Sequence, residues 1–332
     1  MGQEIPGKSH EKKDLPLLQK DGNKNKRRAG FVKTGGISVI IPVYNGEETL
    51  RQCLRSIRDQ GYENYEVIVV DNNSTDKTRE IVETFQAEDN RVRYILEEKR
   101  GRGAARRKGE VSARGDIILM TDSDCIVPSG WITDMIRPLT NGGKYDCVSG
   151  SQVNIANDFW SEQTQMRFVN KKTGKDKIIG MIDTKNFAIK KDSLEKVGFT
   201  SRRYFSGNDT ELSIRLQKNG LRVKFLEEVA VRHYHANKLT AVLNKFYYRA
   251  YWCRIITRDH REYLKQTDFP ESTNQTVWAF FKFFPGLIGS LIKKGAGWTY
   301  YEFVTGLAWR AGLIGGLTYK HEETGLKKEV NQ

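Results

Sequence analysis

Two aspartates one residue apart, Asp122-Ser123-Asp124, follow the apolar run Ile117-Ile118-Leu119-Met120 after the single residue Thr121. The run reads as a short buried strand, so both carboxylates leave it at the sheet edge where open α/β folds bind ligands. Carboxylates this close repel each other unless a cation lies between them. Hard divalent cations prefer oxygen donors, and one held by a carboxylate or two completes its shell with water and substrate phosphates. Asp and Ser also favour solvated turns, so the triplet takes its meaning from what else reaches the same edge.

Three further segments reach it. Pro42-Val43-Tyr44-Asn45 leaves a first apolar run, and Asp71-Asn72-Asn73-Ser74-Thr75-Asp76 leaves a second. Asp71 ends the run Val67–Val70, so its carboxylate faces the crevice, where it suits the N–H groups of a nucleobase. Ser74, Thr75 and Asp76 are better placed to cap the following helix, which leaves Asp71 free for a ligand. Arg100-Gly101-Arg102-Gly103-Ala104-Ala105-Arg106-Arg107 also follows a strand and opens a helix. Backbone N–H groups and arginines such as Arg106 at a helix start suit a diphosphate. The third Gly or Ala of a dinucleotide fingerprint is missing.

The positioning elements follow from the pattern of apolar runs. Segments 37–43, 65–71 and 116–120 are nearly continuous Val/Ile/Leu-rich stretches, as in parallel strands covered on both faces. Helices are expected through Leu50, Leu54 and Ile57, over about 76–85, and up to about Val111, with a strand over 91–96. This alternation predicts a right-handed parallel α/β sheet flanked by helices. Beyond about 145 the alternation loosens. Strands are expected near 147–153, 184–189 and 223–226, a helix over 210–218 ending at Gly220, and a long aromatic helix from about Leu239. Residues 1–35 read as a disordered basic tail with no signal-peptide core.

The 332-residue chain carries a net charge of +14, which calls for nucleic acid, an anionic membrane or phosphorylated small molecules as partner. No RNA-recognition, KH or zinc-finger signature is present. Its four cysteines form no Cys-x-x-Cys pair, which points to a reducing compartment and away from a zinc site. In the last sixty or so residues, the stretch 277–292 holds Trp278, Phe280, Phe281, Phe283 and Phe284 but is interrupted by Lys282 and Pro285, and Lys293-Lys294 follow. It is too short to span a bilayer. It suits either a membrane interface or a pair of core-packing helices.

Taken in order, these residues resemble family 2 glycosyltransferases, which have the GT-A fold. The resemblance rests on Ile37–Asn45, on Val69-Val70-Asp71-Asn72-Asn73-Ser74-Thr75-Asp76, on Gly103 to Gly109, and on Gly115-Asp116 through Asp124. It continues more loosely to about residue 250. It implies a nucleotide-sugar-binding half over 36–145, an acceptor-binding and catalytic half over 146–238, and a C-terminal helical region over 239–332. Asp71 would bind the base, with Pro42 and Tyr44 lining its pocket. Asp122, Ser123 and Asp124 would form the Asp-x-Asp motif, with Asp124 holding Mn²⁺ or Mg²⁺ on the donor diphosphate. Asp209, in Asn208-Asp209-Thr210-Glu211-Leu212, falls on the catalytic-base position, although Asn208 replaces the usual Glu. His233, in His233-Tyr234-His235, would complete the metal shell or touch the diphosphate. Arg107 replaces a usual Asn.

The acceptor motif Gln-x-x-Arg-Trp of processive synthases is absent from Asn244–Arg254. The resemblance therefore implies a non-processive, inverting transferase. Its donor would be a nucleotide-diphosphate sugar and its acceptor a glycan or polyprenyl-linked molecule, with the enzyme on the cytoplasmic face of an anionic membrane. A sugar-phosphate nucleotidyltransferase would need a Gly-rich, Lys-containing loop after the first strand, and Val43-Tyr44-Asn45-Gly46 has none. A basic nucleic-acid-binding protein would leave Asp71, Asp122, Asp124 and Asp209 without a role.

Overall fold

The computed structural model describes residues 36–140, 144–169, 181–266 and 272–319. The tail expected over 1–35 lies outside them. One eight-stranded sheet has the order β3-β2-β1-β4-β7-β6-β8-β5. β1 (Ile37–Val43), β2 (Tyr65–Asp71), β3 (Val92–Leu96) and β4 (Ile117–Met120) run parallel. They are joined by α1 (Leu50–Arg58), α2 (Thr78–Glu88) and α3 (Arg102–Ser112). Their side chains feed apolar clusters on both faces. Val39, Ile41, Val67, Val69 and Leu119 lie on one face, and Ile40, Ile68, Val70, Ile118 and Met120 on the other. This two-faced burial explains why the runs are continuous rather than alternating. β1 overhangs the end of β4, and Pro42 lies in that overhang, beyond the last β1–β4 pair Ile40↔Met120.

The second half departs from simple alternation. After the short β5 (Cys125–Ile126) and α4 (Trp131–Thr140), β6 (Cys147–Asn154) leads to α5 (Phe159–Val169). Next, β7 (Phe187–Lys190) pairs antiparallel with both β4 and β6. α6 (Lys191–Val197) and α7 (Asn208–Lys218) precede β8 (Val223–His233), which is longer than the expected 223–226 strand. A register shift between Gly150 and Ser151 lets β8 continue alongside β6 to His233. β5 then pairs antiparallel with the end of β8, setting Cys125 opposite His233.

α8 (Leu239–Asp259), the short α9 (Arg261–Leu264) and α10 (Ser272–Gly315) follow among the described residues. α10 runs through Pro285 and breaks instead at Gly295, whose φ of 83° and ψ of 172° divide it into two arms. The second arm packs on α8. Tyr301 is fully buried with Val242 and Phe246, and Gly312 fits so close to Tyr247 that a Cβ would strike its carbonyl. The side chains of 267–285 lie outside the described set, among them those expected to be interfacial at 278–284. Among the described residues no helix is long and apolar enough to cross a membrane.

Candidate active site

The loops after β1 and β2 are stitched into one wall. The Asn45 amide donates to Ser74 Oγ (2.9 Å), and the Thr75 amide donates to Asn45 Oδ1 (2.9 Å). Both Asn45 and Asn73 take positive φ, a conformation Asn tolerates. Tyr44 projects from this wall, 46% exposed, with the Arg100 guanidinium 3.7 Å from its ring centroid. Asp71 lies below and is not free, contrary to expectation. Its Oδ1 accepts the Ser74 amide at 2.9 Å and its Oδ2 accepts the Tyr94 hydroxyl at 2.8 Å. Burial, then the Asp71 carboxylate, pushes the Tyr94 phenol up to about 12. The remaining lone pairs of Asp71 are what a base could still use. Asn72 ties in the third loop by donating to the carbonyls of Glu97 and Lys99 and accepting the Gly101 amide.

Arg106 differs most from expectation. Rather than facing solvent for a diphosphate, it is 3% exposed and bridges two carboxylates, Asp122 at 2.8 Å and Asp209 at 3.4 Å. Gly103 makes this possible. A Cβ there would strike the Ser201 carbonyl and the Asn208 amide, so only glycine lets α3 approach the start of α7 and bring Arg106 to Asp209. Asn208 donates its amide to the carbonyls of Ser201 and Tyr204 (3.1 Å each). A glutamate could not donate these bonds, which gives the departure from the family pattern a structural reason. Arg107 turns away from the site toward the Phe199 ring.

Asp209 Oδ1 also accepts the Thr184 hydroxyl at 2.5 Å, while Oδ2 has no partner among the described residues and the side chain is 32% exposed. Lys185, the next residue, pairs with Asp183 at 2.8 Å. Burial works against its charge, but Asp183, Asp209 and Asp122 together hold its ammonium above the usual range. Lys245 on α8 faces the same region. Burial first, then Lys185 and Arg249, push it down to about 8, with Asp124 acting in the opposite sense. Thr184, Lys185 and Lys245 had no recognisable sequence signal apart from Lys245, a lysine between the buried Val242 and Phe246 of one helix.

The strand pairing of Cys125 with His233 brings Asp124 Oδ2 to 3.3 Å from His233 Nε2. A chain of bonds assigns the protons behind it. Gln165 Nε2 donates to the Gln152 carbonyl, turning Oε1 toward His235 Nε2 at 3.0 Å. His235 is kept neutral, pushed down to about 3 by burial and then by His233. Its Nε2 therefore carries the proton, and its Nδ1 accepts from His233 Nδ1 at 3.0 Å. His233 Nε2 in turn faces the Asp124 carboxylate. Burial raises Asp124, but the charge and hydrogen bond of His233 outweigh it and hold the acid at about 2. Once His233 Nε2 gives up its proton, its lone pair and the Asp124 carboxylate form a fitting pair of donors for a divalent cation.

Cys125 completes the geometric cluster. Burial, then Asp124 and Asp122, push its thiol well above the usual range, and a protonated thiol is a poor ligand for a hard cation. Asp122, expected as a ligand, has Oδ1 committed to Arg106 and only its second oxygen to offer. Ser123 is half-buried beside Gly46 of the first loop.

Residues 38–198 match the model describing Glycosyl transferase family 2. The chain belongs to this family. Glycosyltransferase AglE of Haloferax volcanii is 32% identical over 203 residues, 59% of this chain and 66% of that protein. A GalNAc(5)-diNAcBac-PP-undecaprenol β-1,3-glucosyltransferase of Campylobacter jejuni is 27% identical over 188 residues, 55% and 60% of the two chains. This family 2 chain spans between 33% and 66% of the length of the first curated relatives it matches. Among solved structures, a Pyrobaculum calidifontis mannosyltransferase with GDP-Man and Mn²⁺ superposes with a TM-score of 0.62 at 18% identity. The match covers 86% of this chain and 87% of that one. Staphylococcus aureus TarS 1–349 gives 0.51 at 18% identity, covering 85% and 81%. These likenesses establish the fold, a GT-A type α/β sheet with a C-terminal helical region. Asp209 and His233 lie beyond the matched span 38–198.

Proposed function

We propose that this chain is an inverting, non-processive glycosyltransferase. It would move a sugar from a nucleotide-diphosphate donor to a hydroxyl, or to a lipid phosphate, of a glycan or polyprenyl-linked acceptor. The observation that carries the reading is the Arg106 bridge, which ties Asp122 of the Asp-x-Asp loop to Asp209. One guanidinium thereby fixes the donor-side carboxylate and the candidate base in a single frame. The GDP-Man and Mn²⁺ of the archaeal neighbour support a nucleotide sugar and a divalent cation. The undecaprenol-linked substrate named for the Campylobacter relative supports a membrane-borne acceptor.

In this mechanism the Tyr44–Arg100 stack and Asp71 hold the nucleotide, while Lys185 and Lys245 supply positive charge beside the diphosphate. Asp209 Oδ2 takes the proton of the acceptor hydroxyl as its oxygen bonds to the anomeric carbon. The bond from that carbon to the diphosphate oxygen breaks on the opposite face, and the electron pair leaves with the nucleoside diphosphate. One displacement gives one inversion. Thr184 and Arg106 hold Oδ1, so Oδ2 stays aimed outward. A divalent cation held by Asp124 and His233, with the second oxygen of Asp122, would supply Lewis-acid stabilisation of the leaving charge. A lipid-phosphate acceptor is already anionic and would need little help from Asp209.

The test is a panel of nucleotide sugars with and without Mn²⁺, followed by thermal stability and by sugar release to water. A donor at a hundred times its Kd should stabilise the fold by about 2.7 kcal/mol. If no donor stabilises the protein in either condition, the reading fails.

A further inference from the structure

A cleft of about 480 Å³ opens between α5 and the kink of α10, lined by Gln163, Met166, Lys294, Gly297 and Trp298. Two polar atoms in its wall are buried without a partner among the described residues, Gln163 Oε1 and Trp298 Nε1. Their side chains are only 9% and 6% exposed. A buried polar atom left unpaired costs about 1–3 kcal/mol, so two in one cleft signal a ligand that satisfies both. One is an acceptor and the other a donor. An anion only accepts, and would leave Gln163 Oε1 unanswered. A hydroxyl-bearing ring does both, and its C–H faces suit the walls of Met166 and Trp298. Lys294 lies 4.5 Å from the centroid of the Trp298 ring and so already has a partner at the rim.

The cleft is tied to the reaction centre through α5. Gln165, which bonds His235, lies on the face of that helix away from Gln163, since two residues turn a helix by about 200°. The cleft is therefore about one helix diameter, roughly 10 Å, from the histidine pair. A molecule reaching both places is longer than one sugar.

We propose that this cleft is a saccharide subsite that holds an acceptor glycan at a residue set back from the reacting hydroxyl, with Gln163 and Trp298 as its hydrogen-bonding pair. The proposal rests on the glycosyltransferase reading and names the acceptor class, an oligosaccharide or lipid-linked glycan rather than a monosaccharide.

The full-length chain labelled at tryptophan indole nitrogens provides the test. Free mono- and tetrasaccharides of glucose, galactose, mannose and N-acetylglucosamine are titrated in, with inorganic phosphate and pyrophosphate in parallel. At least one tetrasaccharide should move the Trp298 indole signal, assigned with Trp298→Phe. Trp131, whose Nε1 donates to Asn186 Oδ1 at 2.8 Å, should stay still. Gln163→Leu should weaken the effect about tenfold, the worth of one hydrogen bond. It should leave sugar release from the nucleotide donor to water unchanged, since that reaction needs no acceptor. Silence of every saccharide at Trp298, or a shift that survives Gln163→Leu unaltered, overturns the proposal. So does a response to phosphate or pyrophosphate alone, which would make the cleft an anion site. Absence of donor binding with a saccharide response intact would sink the transferase reading and leave the subsite standing.

Discussion

Arg106 Nη2 donates to Asp122 Oδ1 at 2.8 Å from a side chain that is 3% exposed. An arginine so deeply buried holds its charge because burial, which lowers its proton affinity, is outweighed by Asp122 and Asp209. Arg106 thus contributes to the site by orienting acids rather than by meeting phosphate. Removing one partner of a buried ion pair strands the other charge, at a cost of about 3–5 kcal/mol. Arg106→Met should destabilise the fold by a value near the lower end, because Asp209 is partly solvated. Arg106→Lys should cost less but still lower transfer, because an ammonium lacks the planar fork that reaches two acids. Urea unfolding of both variants checks the order, and an Arg106→Met protein as stable as the parent would contradict it.

Asp209 as base makes a prediction about kcat. Asp209→Asn should lower kcat by roughly 10²–10⁴ while nucleotide affinity changes only a few-fold. Thr184→Val removes the hydroxyl that steadies Oδ1 and should lower kcat by a smaller factor with donor affinity unchanged. Loss of nucleotide binding in Asp209→Asn would make Asp209 a structural or donor-holding residue. An unaffected kcat with a lipid-phosphate acceptor would instead point to the route in which the acceptor is already ionised.

What was legible in the sequence divides at about residue 125. Apolar runs such as Ile37–Val43 and Tyr65–Asp71 are buried on both faces, and two-faced burial leaves a direct mark on composition. Strands near β7 and at the start of β8 were expected, but the antiparallel pairing of β7 and the full length of β8 were not. β8 is buried on one face only, and its length depends on a register shift in its neighbour β6 that no local pattern announces. The loop residues at the sheet edge were readable because they follow those runs. Their partners were not, since the contacts of Arg106 with Asp209 and Asp124 with His233 span more than a hundred residues each. That Asp71 is not free was missed because Tyr94, which donates to its second oxygen, belongs to the neighbouring strand.

The proton chain behind His233 predicts how metal affinity should respond. Asp124→Ala removes the carboxylate that faces His233 Nε2 and should abolish metal-dependent nucleotide binding. Gln165→Leu removes the amide oxygen that faces His235 Nε2, loosening the hold on the histidine pair. Outer-shell changes of this kind typically cost 10- to 100-fold in affinity. Calorimetric Mn²⁺ titration in the presence of nucleoside diphosphate measures both. Full transfer activity in excess EDTA would remove the metal assignment.

Lys245 should make the protein respond to pH above neutrality. Its ammonium is pushed down to about 8 from an ordinary 10.5 by burial, then by Lys185 and Arg249. Below pH 8 it is charged both folded and unfolded, and the full penalty of burying that charge is present. Between 8 and 10.5 the unfolded chain holds the proton that the folded chain has released, so this group's contribution to stability rises with pH. Lys245→Met should therefore be more stable than the parent at pH 7, with the gap closing toward pH 10.5. Affinity for a nucleoside diphosphate should move the other way, falling above pH 8 in the parent and staying flatter in the variant. Parallel affinity profiles for the two proteins would mean that Lys245 does not face the ligand.

The last prediction concerns the first arm of α10. Ile288, Leu291 and Ile292 are 66%, 51% and 81% exposed, and their i, i+3, i+4 spacing puts them on one face of the helix. Lys293 and Lys294 follow directly. Such a face suits the headgroup boundary of an anionic bilayer, with apolar burial supplying a salt-independent part and each lysine about 1 kcal/mol that salt screens. The full-length chain should sediment with phosphatidylserine vesicles at low salt and retain part of that binding at high salt. Replacing Ile288, Leu291 and Ile292 by serine should remove the salt-resistant part. Exposed substitutions of this kind change folding stability by only about 0.5 kcal/mol, so lost sedimentation would not reflect unfolding. Replacing Lys293 and Lys294 should lower only the salt-sensitive part. Failure of the parent protein to sediment at low salt would leave the face without a membrane role, and a soluble acceptor would then be the better expectation.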